Sequence, residues 1–172
     1  MENVEIKARC SDLAEIARAA AAAGAVRETA FVQVDTYFNV ATGRLKLRET
    51  DGAERELIFY RRPNDLAPKL SRYDRVSIAP GQNLEFILQQ AFGIKTVVRK
   101  RRQLWRIDNV RIHLDEVEGL GSFVELEVQV TAGRDLAGCR AQAAALMDAL
   151  QIRPADLVAG SYSDLAARLE AD

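Results

Sequence analysis

The stretch Phe31-Val32-Gln33-Val34-Asp35-Thr36-Tyr37-Phe38, followed after a short break by Arg44-Leu45-Lys46-Leu47-Arg48-Glu49, decides how the chain folds. The first segment mixes aromatic and β-branched residues with polar ones in alternation, which predicts a strand. In the second, Arg44, Lys46 and Arg48 fall on alternate positions and so share one face of a strand, with Leu45 and Leu47 on the other. A strand with an apolar face and a cationic face must show its cations to water or to an anion, and the rest of the sequence has to decide between the two.

Working outward, the same pattern recurs. Val4 to Cys10 predicts a strand with Glu5, Lys7 and Arg9 on one parity. Ser11 then reads as an N-cap for a helix that Gly24 ends. The quoted strands, 31–39 and 44–50, follow, and Asp51-Gly52 signals a hairpin turn. Residues 54–62 form a strand with Leu57, Phe59 and Arg61 on one side, and 69–78 form the next. Pro80 introduces a helix that Gly93 closes. Strands follow at 95–107, 110–117 and 123–130, carrying Lys100 and Arg102, then Arg111, His113 and Asp115, then Glu125 and Glu127. A helix over 135–150 and a terminal helix over 162–169 complete the chain. Eight strands, mostly hairpin-linked, with helices between groups, make an α+β fold with a largely antiparallel sheet.

The chain has 172 residues, the size of one domain, and 48% hydrophobic residues are enough for a core. Its 24 basic and 25 acidic residues leave a formal net charge of -1, so no general field draws it to nucleic acid or an acidic membrane. Cys10 and Cys139 have no metal-like spacing and, with no signal peptide or membrane-length apolar run, are expected to stay reduced in the cytoplasm. Any anion site must come from local segregation of charge. If the sheet curls into a barrel, the charged parity becomes a polar lumen, and a lumen with both charge signs suits a polyphosphate with a divalent metal. The plainer reading is a wet sheet face with cross-strand ion pairs, which holds better for any one strand than for all together.

The ordered set Val4–Arg9, Gln33–Phe38, Arg44–Glu49, Lys100–Arg102, His113–Val117, Leu120–Glu127 and Ser161-Tyr162 resembles the CYTH superfamily. That superfamily includes class IV adenylyl cyclases, thiamine triphosphatases and tripolyphosphatases, and the resemblance is strongest to the class IV adenylyl cyclase-like group. It implies a closed antiparallel eight-stranded β-barrel, a triphosphate tunnel, with helices packed outside and residues 1–172 as a single domain. By motif, Lys46, Arg48, Lys100 and Arg102 would grip phosphates, with Lys7 and Arg61 assisting. Glu5, Glu125 and Glu127 would hold Mg²⁺ or Mn²⁺. Asp115 and Lys7 are the catalytic candidates, Asp115 having an ion pair as its structural alternative. The family's opening ExExK motif is incomplete, because Asn3 stands at the first Glu position and offers only a neutral oxygen donor. Arg9 and Arg44 belong to the rim or to solvent, Tyr37 and Trp105 to walls or packing, and His113 to a structural hydrogen bond; Tyr162 would close one end or anchor a helix.

The implied partner is a triphosphate-bearing small molecule, ATP or tripolyphosphate, with no nucleic acid and no membrane; the outer face leaves room for a homodimer without a visible seam. Three activities fit: cyclisation of ATP to cyclic AMP and pyrophosphate, hydrolysis of a triphosphate, or nucleotide binding without turnover.

Overall fold

The computed structural model describes residues 2–133 and 135–169, so the two ends of the expected 1–172 domain lie outside the described residues. The strands are β1 (Glu2–Arg9), β2 (Val26–Phe38), β3 (Arg44–Thr50), β4 (Glu54–Arg61), β5 (Lys69–Ile78), β6 (Ile94–Ile107), β7 (Val110–Val117) and β8 (Gly121–Gln129). The helices are α1 (Leu13–Ala22), α2 (Leu84–Phe92), α3 (Leu136–Ala149) and α4 (Tyr162–Leu169). The strands form a closed antiparallel barrel in the order β1-β5-β4-β3-β2-β6-β7-β8, with β8 returning to pair with β1. The expected α+β fold and eight-stranded barrel are therefore present. Closure leaves no free sheet edge and divides each strand cleanly into a lumen face and an outer face.

Local chemistry sets the hairpins. Asp51 and Gly52 both have positive φ, 50° and 70°, in the three-residue connection 51–53 between β3 and β4, where the Ala53 N–H donates to the Thr50 carbonyl and Thr50 pairs with Glu54. Gly43, at the entry to β3, lies so close to the Phe59 ring that a Cβ there would come within 2.8 Å of it. Three local expectations shift. Asp12, not Ser11, caps α1, its Oδ1 accepting from the backbone N–H groups of Ala14 and Glu15. Helix α2 starts at Leu84, four residues after Pro80. Strand β2 begins at Val26, because its first residues pair with Gln103–Arg106 of β6 although their side chains are exposed and lack an apolar rhythm.

The outer faces of β1, β7 and β8 hold the main core. Val4, Ile6, Ile112, Leu126 and Val128 are fully buried there, under Ala20 of α1 and Cys139, Ala143 and Leu146 of α3. Each such aliphatic side chain contributes about 1.5–3 kcal/mol of burial. Trp105 packs against this core, as the packing reading expects. A second cluster seats Leu88 of α2 on Phe38 and Leu47. Closure of the barrel turns the charged parity of β1, β3, β7 and β8 and the Lys100–Arg102 parity of β6 into its lumen, while Val97, Arg99 and Arg101 on the outer face of β6 stay exposed.

Candidate active site

The barrel encloses a cavity of about 330 Å³. One end is shut by α4: Tyr162 packs edge-on against Phe123, 5.0 Å between ring centroids, in a cluster with Tyr37, Tyr60 and Leu165. The other end is more exposed and carries Phe31, Leu104, Arg75, Arg106 and Arg111. Among the described residues, nine lysines and arginines line the cavity against five carboxylates. That surplus of positive charge is what a multiply charged anion would neutralise.

Two buried aspartates organise the cations. Asp35, 0% exposed, accepts from Arg48 through both carboxylate oxygens (2.7 and 2.9 Å), from Lys46 at 3.0 Å and from Lys100 at 2.7 Å. Burial would raise its pKa, but Arg48, Lys100 and Lys46 overcome that and hold it well below the usual carboxylate range. Burial pulls the ammonium of Lys46 down to about 7 and that of Lys100 down to about 8, with Asp35 opposing in both cases. Opposite this group, Asp115 takes a bidentate bond from Arg102 (2.6 and 2.5 Å) and a 2.8 Å bond from the Tyr162 hydroxyl. Arg102 also reaches Glu125 at 3.0 Å, and Lys7 donates to Glu125 at 2.9 Å while lying 3.6 Å from the centre of the Tyr162 ring.

The sequence-derived residues Lys7, Lys46, Arg48, Lys100, Arg102, Glu5, Glu125 and Glu127 all line this one cavity. Two expectations need correction. Arg61 points away from the cavity: it is exposed and stacks over Phe59, while the inner parity of β4 runs Glu56, Ile58, Tyr60 and continues to Arg62. Arg62 donates to Glu5 at 2.6 Å and to the Gly160 carbonyl at 2.9 Å, with its side chain 4% exposed. Asp115, in turn, sits behind the wall with both oxygens committed to Arg102 and Tyr162, so its geometry is that of the expected ion pair and suits the fixing of Arg102 better than contact with substrate. Arg44 pairs with Asp164 at 2.7 Å, and Arg9 donates to the Leu120 carbonyl.

This contrast gives a direct expectation. Arg62→Ala leaves the Glu5 carboxylate buried without its guanidinium and is expected to lower the thermal midpoint by several degrees, as losing one partner of a buried pair does. Arg61→Ala is expected to stay within about 0.5 kcal/mol of the parent. Equal effects in thermal denaturation would contradict the assignment of faces.

Asp35 and Arg62 have no assigned role in the sequence reading, and His113 is only a structural hydrogen-bonding residue there. Asp35 lies in a quoted motif, and its register opposite Arg48 was the available signal. Arg62 was hidden by the apolar alternation of Leu57 and Phe59, which belongs to the outer face. His113 faces the cavity directly across from Glu125.

The donors present fit a divalent cation. Glu125, Glu127 and His113 bring one ligand atom each to within 4.8 Å of one another. Lys7, His113 and Arg102 overcome the effect of burial and keep the Glu125 carboxyl well below the usual range, so it is ionised for coordination at neutral pH. Glu5 stands outside that group with its carboxylate held by Arg62. Asn3 is 3.5 Å from Glu127.

A closed barrel holding buried cation clusters beside a carboxylate pair has the charge arrangement that a polyanion accompanied by a divalent metal would fit. The CYTH domain model matches residues 1–162, and the chain belongs to the CYTH domain family. It is 26% identical to "Putative adenylate cyclase MJ0240" of Methanocaldococcus jannaschii over 78% of this chain and 77% of that protein. The PH1012 protein of Pyrococcus horikoshii has the same fold, with a TM-score of 0.83 at 21% identity over 95% of this chain and 98% of that one. So does HpAC1 from Hippeastrum, described as a putative adenylyl cyclase with a dominant triphosphatase activity, with a TM-score of 0.64 at 17% identity over 99% and 96%.

Proposed function

We propose that this chain is one CYTH domain acting as a metal-assisted enzyme on a triphosphate-bearing small molecule, ATP or tripolyphosphate. The observation that carries the reading is the enclosed triad Lys46, Arg48 and Lys100 on Asp35, facing Arg102 and Lys7 across the same cavity. Incoming phosphoryl oxygens would exchange with the carboxylates for these donors, Arg48 and Arg102 offering planar forks. Asp115 fixes the Arg102 fork in this arrangement. Glu125 and Glu127 would hold Mg²⁺ or Mn²⁺, which when bound withdraws charge from phosphoryl oxygens. Burial lowers the pKa of Lys7, which suits it to proton transfer.

The first reaction is cyclisation, in which the ATP 3′-hydroxyl attacks the α-phosphorus and pyrophosphate leaves. Phe31 and Leu104 at the exposed end would lie against the nucleoside, and the relative from Methanocaldococcus jannaschii supports this reading. The second is hydrolysis with water attacking a terminal phosphorus. The end shut by Tyr162 favours it, because a triphosphate entering from the exposed end puts its terminal group deepest. Purified protein with Mn²⁺ or Mg²⁺ and either ATP or tripolyphosphate separates the outcomes. Cyclic AMP with pyrophosphate supports cyclisation, orthophosphate supports hydrolysis, and tight binding with neither product contradicts both.

The pH dependence of binding follows from the two lysines. Their folded pKa values lie below the ordinary value of about 10.4, so above pH 7 the unfolded chain binds more protons and folding stability rises with pH. Anion binding favours the charged lysines and therefore takes up protons. Tripolyphosphate affinity is expected to fall between pH 7 and 9, by up to about tenfold per pH unit for each lysine that must be recharged. Calorimetry in buffers of different ionisation enthalpy should show the proton uptake; uptake near zero at pH 8 would contradict it.

A further inference from the structure

We propose that His113 is a direct ligand of the cation held by Glu125 and Glu127, and that this imidazole makes the site select Mn²⁺ and its first-row neighbours over Mg²⁺. The inference deepens the reading above, which assigns a metal to the carboxylates and rests on oxygen donors alone.

Four observations meet at one atom. His113 is 5% exposed, and its Nδ1 is buried without a hydrogen-bond partner among the described residues. A buried ring nitrogen left unpaired carries a desolvation cost, which a ligand would remove. The same Nδ1 lies 3.8 Å from Glu125 Oε2 and 3.8 Å from Glu127 Oε1, too far for hydrogen bonds to either. Two ligand atoms each about 2.1 Å from a shared ion are separated by up to about 4.2 Å, so those spacings suit a cation between them.

The remaining valences are available. Lys7 occupies Glu125 Oε1 and Arg102 donates to Oε2, but a carboxylate oxygen has a second lone pair. Asn3 and Arg111 approach Glu127 through Oε2, at 3.5 and 3.6 Å, which leaves Oε1 toward His113.

Selectivity follows from the donor set and its neighbours. Lys7, Arg102 and Arg111 offset much of the charge of the two carboxylates, which weakens the attraction for a hard ion held by charge alone. A neutral imidazole is unaffected by that offset and favours borderline transition ions, whereas Mg²⁺ prefers oxygen and gains little from it.

The test uses the intact protein and Mn²⁺ alone, with no triphosphate, so its result is independent of whether any substrate turns over. Electron paramagnetic resonance of free Mn²⁺ gives the affinity, pulsed measurements detect a directly coordinated imidazole nitrogen, and competition gives the affinity for Mg²⁺. Expected are one Mn²⁺ site with a nitrogen coupling and a clear preference for Mn²⁺. His113→Ala should weaken Mn²⁺ binding by at least about tenfold. His113→Gln, which keeps side-chain bulk and an oxygen donor, should fold normally, lose the nitrogen coupling and hold Mg²⁺ within about threefold of the parent. Saturable Mn²⁺ binding without nitrogen coupling, absence of Mn²⁺ binding, or coupling that survives in His113→Gln overturns the assignment.

Discussion

Arg102→Ala is expected to lower tripolyphosphate affinity by at least about 100-fold and to destabilise the fold by about 3–5 kcal/mol. Both effects come from one guanidinium. Arg102 bridges Asp115 and Glu125, the first through a bidentate pair and the second at 3.0 Å, so its removal takes a phosphate donor from the cavity and leaves Asp115 with only the Tyr162 hydroxyl. Burial then acts on the Asp115 carboxylate with its main counter-charge gone. Arg102→Lys keeps the charge but loses the planar fork, and should fold better than the alanine variant while still binding the anion more weakly than the parent. Titration calorimetry and denaturant unfolding check the two effects; affinity within about threefold of the parent in both variants would contradict the role.

Asp35→Asn is expected to produce the opposite pairing of effects, a less stable fold whose remaining anion site is emptier of competition. Asp35 is the shared carboxylate of Lys46, Arg48 and Lys100 in a fully buried position. The isosteric amide keeps the volume but removes the negative charge, so Arg48 is left buried without its acid while Lys46 and Lys100 crowd it or give up protons, and about 3–5 kcal/mol of stability should be lost at neutral pH. Tripolyphosphate supplies the missing charge. It should therefore raise the thermal midpoint of Asp35→Asn more than that of the parent protein, since ligand that binds only the folded state adds stability by mass action. An unchanged midpoint without ligand, or equal ligand-induced shifts in the two proteins, would show that Asp35 is not the counter-charge of this cluster.

The period-two rhythm made much of this architecture readable. Glu5 with Lys7, Lys46 with Arg48, and Glu125 with Glu127 each occupy one parity of their strand, and burial of the apolar other parity leaves these side chains to face inward; in β6, exposed Arg99 and Arg101 alternate with Lys100 and Arg102, and closure of the barrel is what separates the two pairs. Where both parities look alike, the rhythm loses its meaning. In β4, Leu57 and Phe59 alternate as convincingly as Ile58 and Tyr60, so Arg61 was drawn to the lumen and Arg62 overlooked. The neighbour that decides between them is α2, which covers the outer face and is remote in sequence. Asp35 and His113 were obscured differently. Each is one polar residue among several on its strand, and its meaning comes from partners on other strands: Arg48 and Lys100 for Asp35, Glu125 and Glu127 for His113. Asp115 is a catalytic candidate in the sequence, with an ion pair as the alternative, and the Arg102 fork together with the Tyr162 hydroxyl shows why its carboxylate has little left to offer a substrate.

Inward-facing cations that trade buried carboxylates for a triphosphate are the centre of the proposed chemistry, and a crystal structure with tripolyphosphate tests them most directly. Phosphoryl oxygens are expected about 2.7–2.9 Å from Lys46, Arg48, Lys100 and Arg102 inside the barrel, with the Asp35 contacts loosened. Tripolyphosphate found only on the outer surface, with the Asp35 and Asp115 pairs unchanged and the cavity free of phosphate, would contradict that exchange.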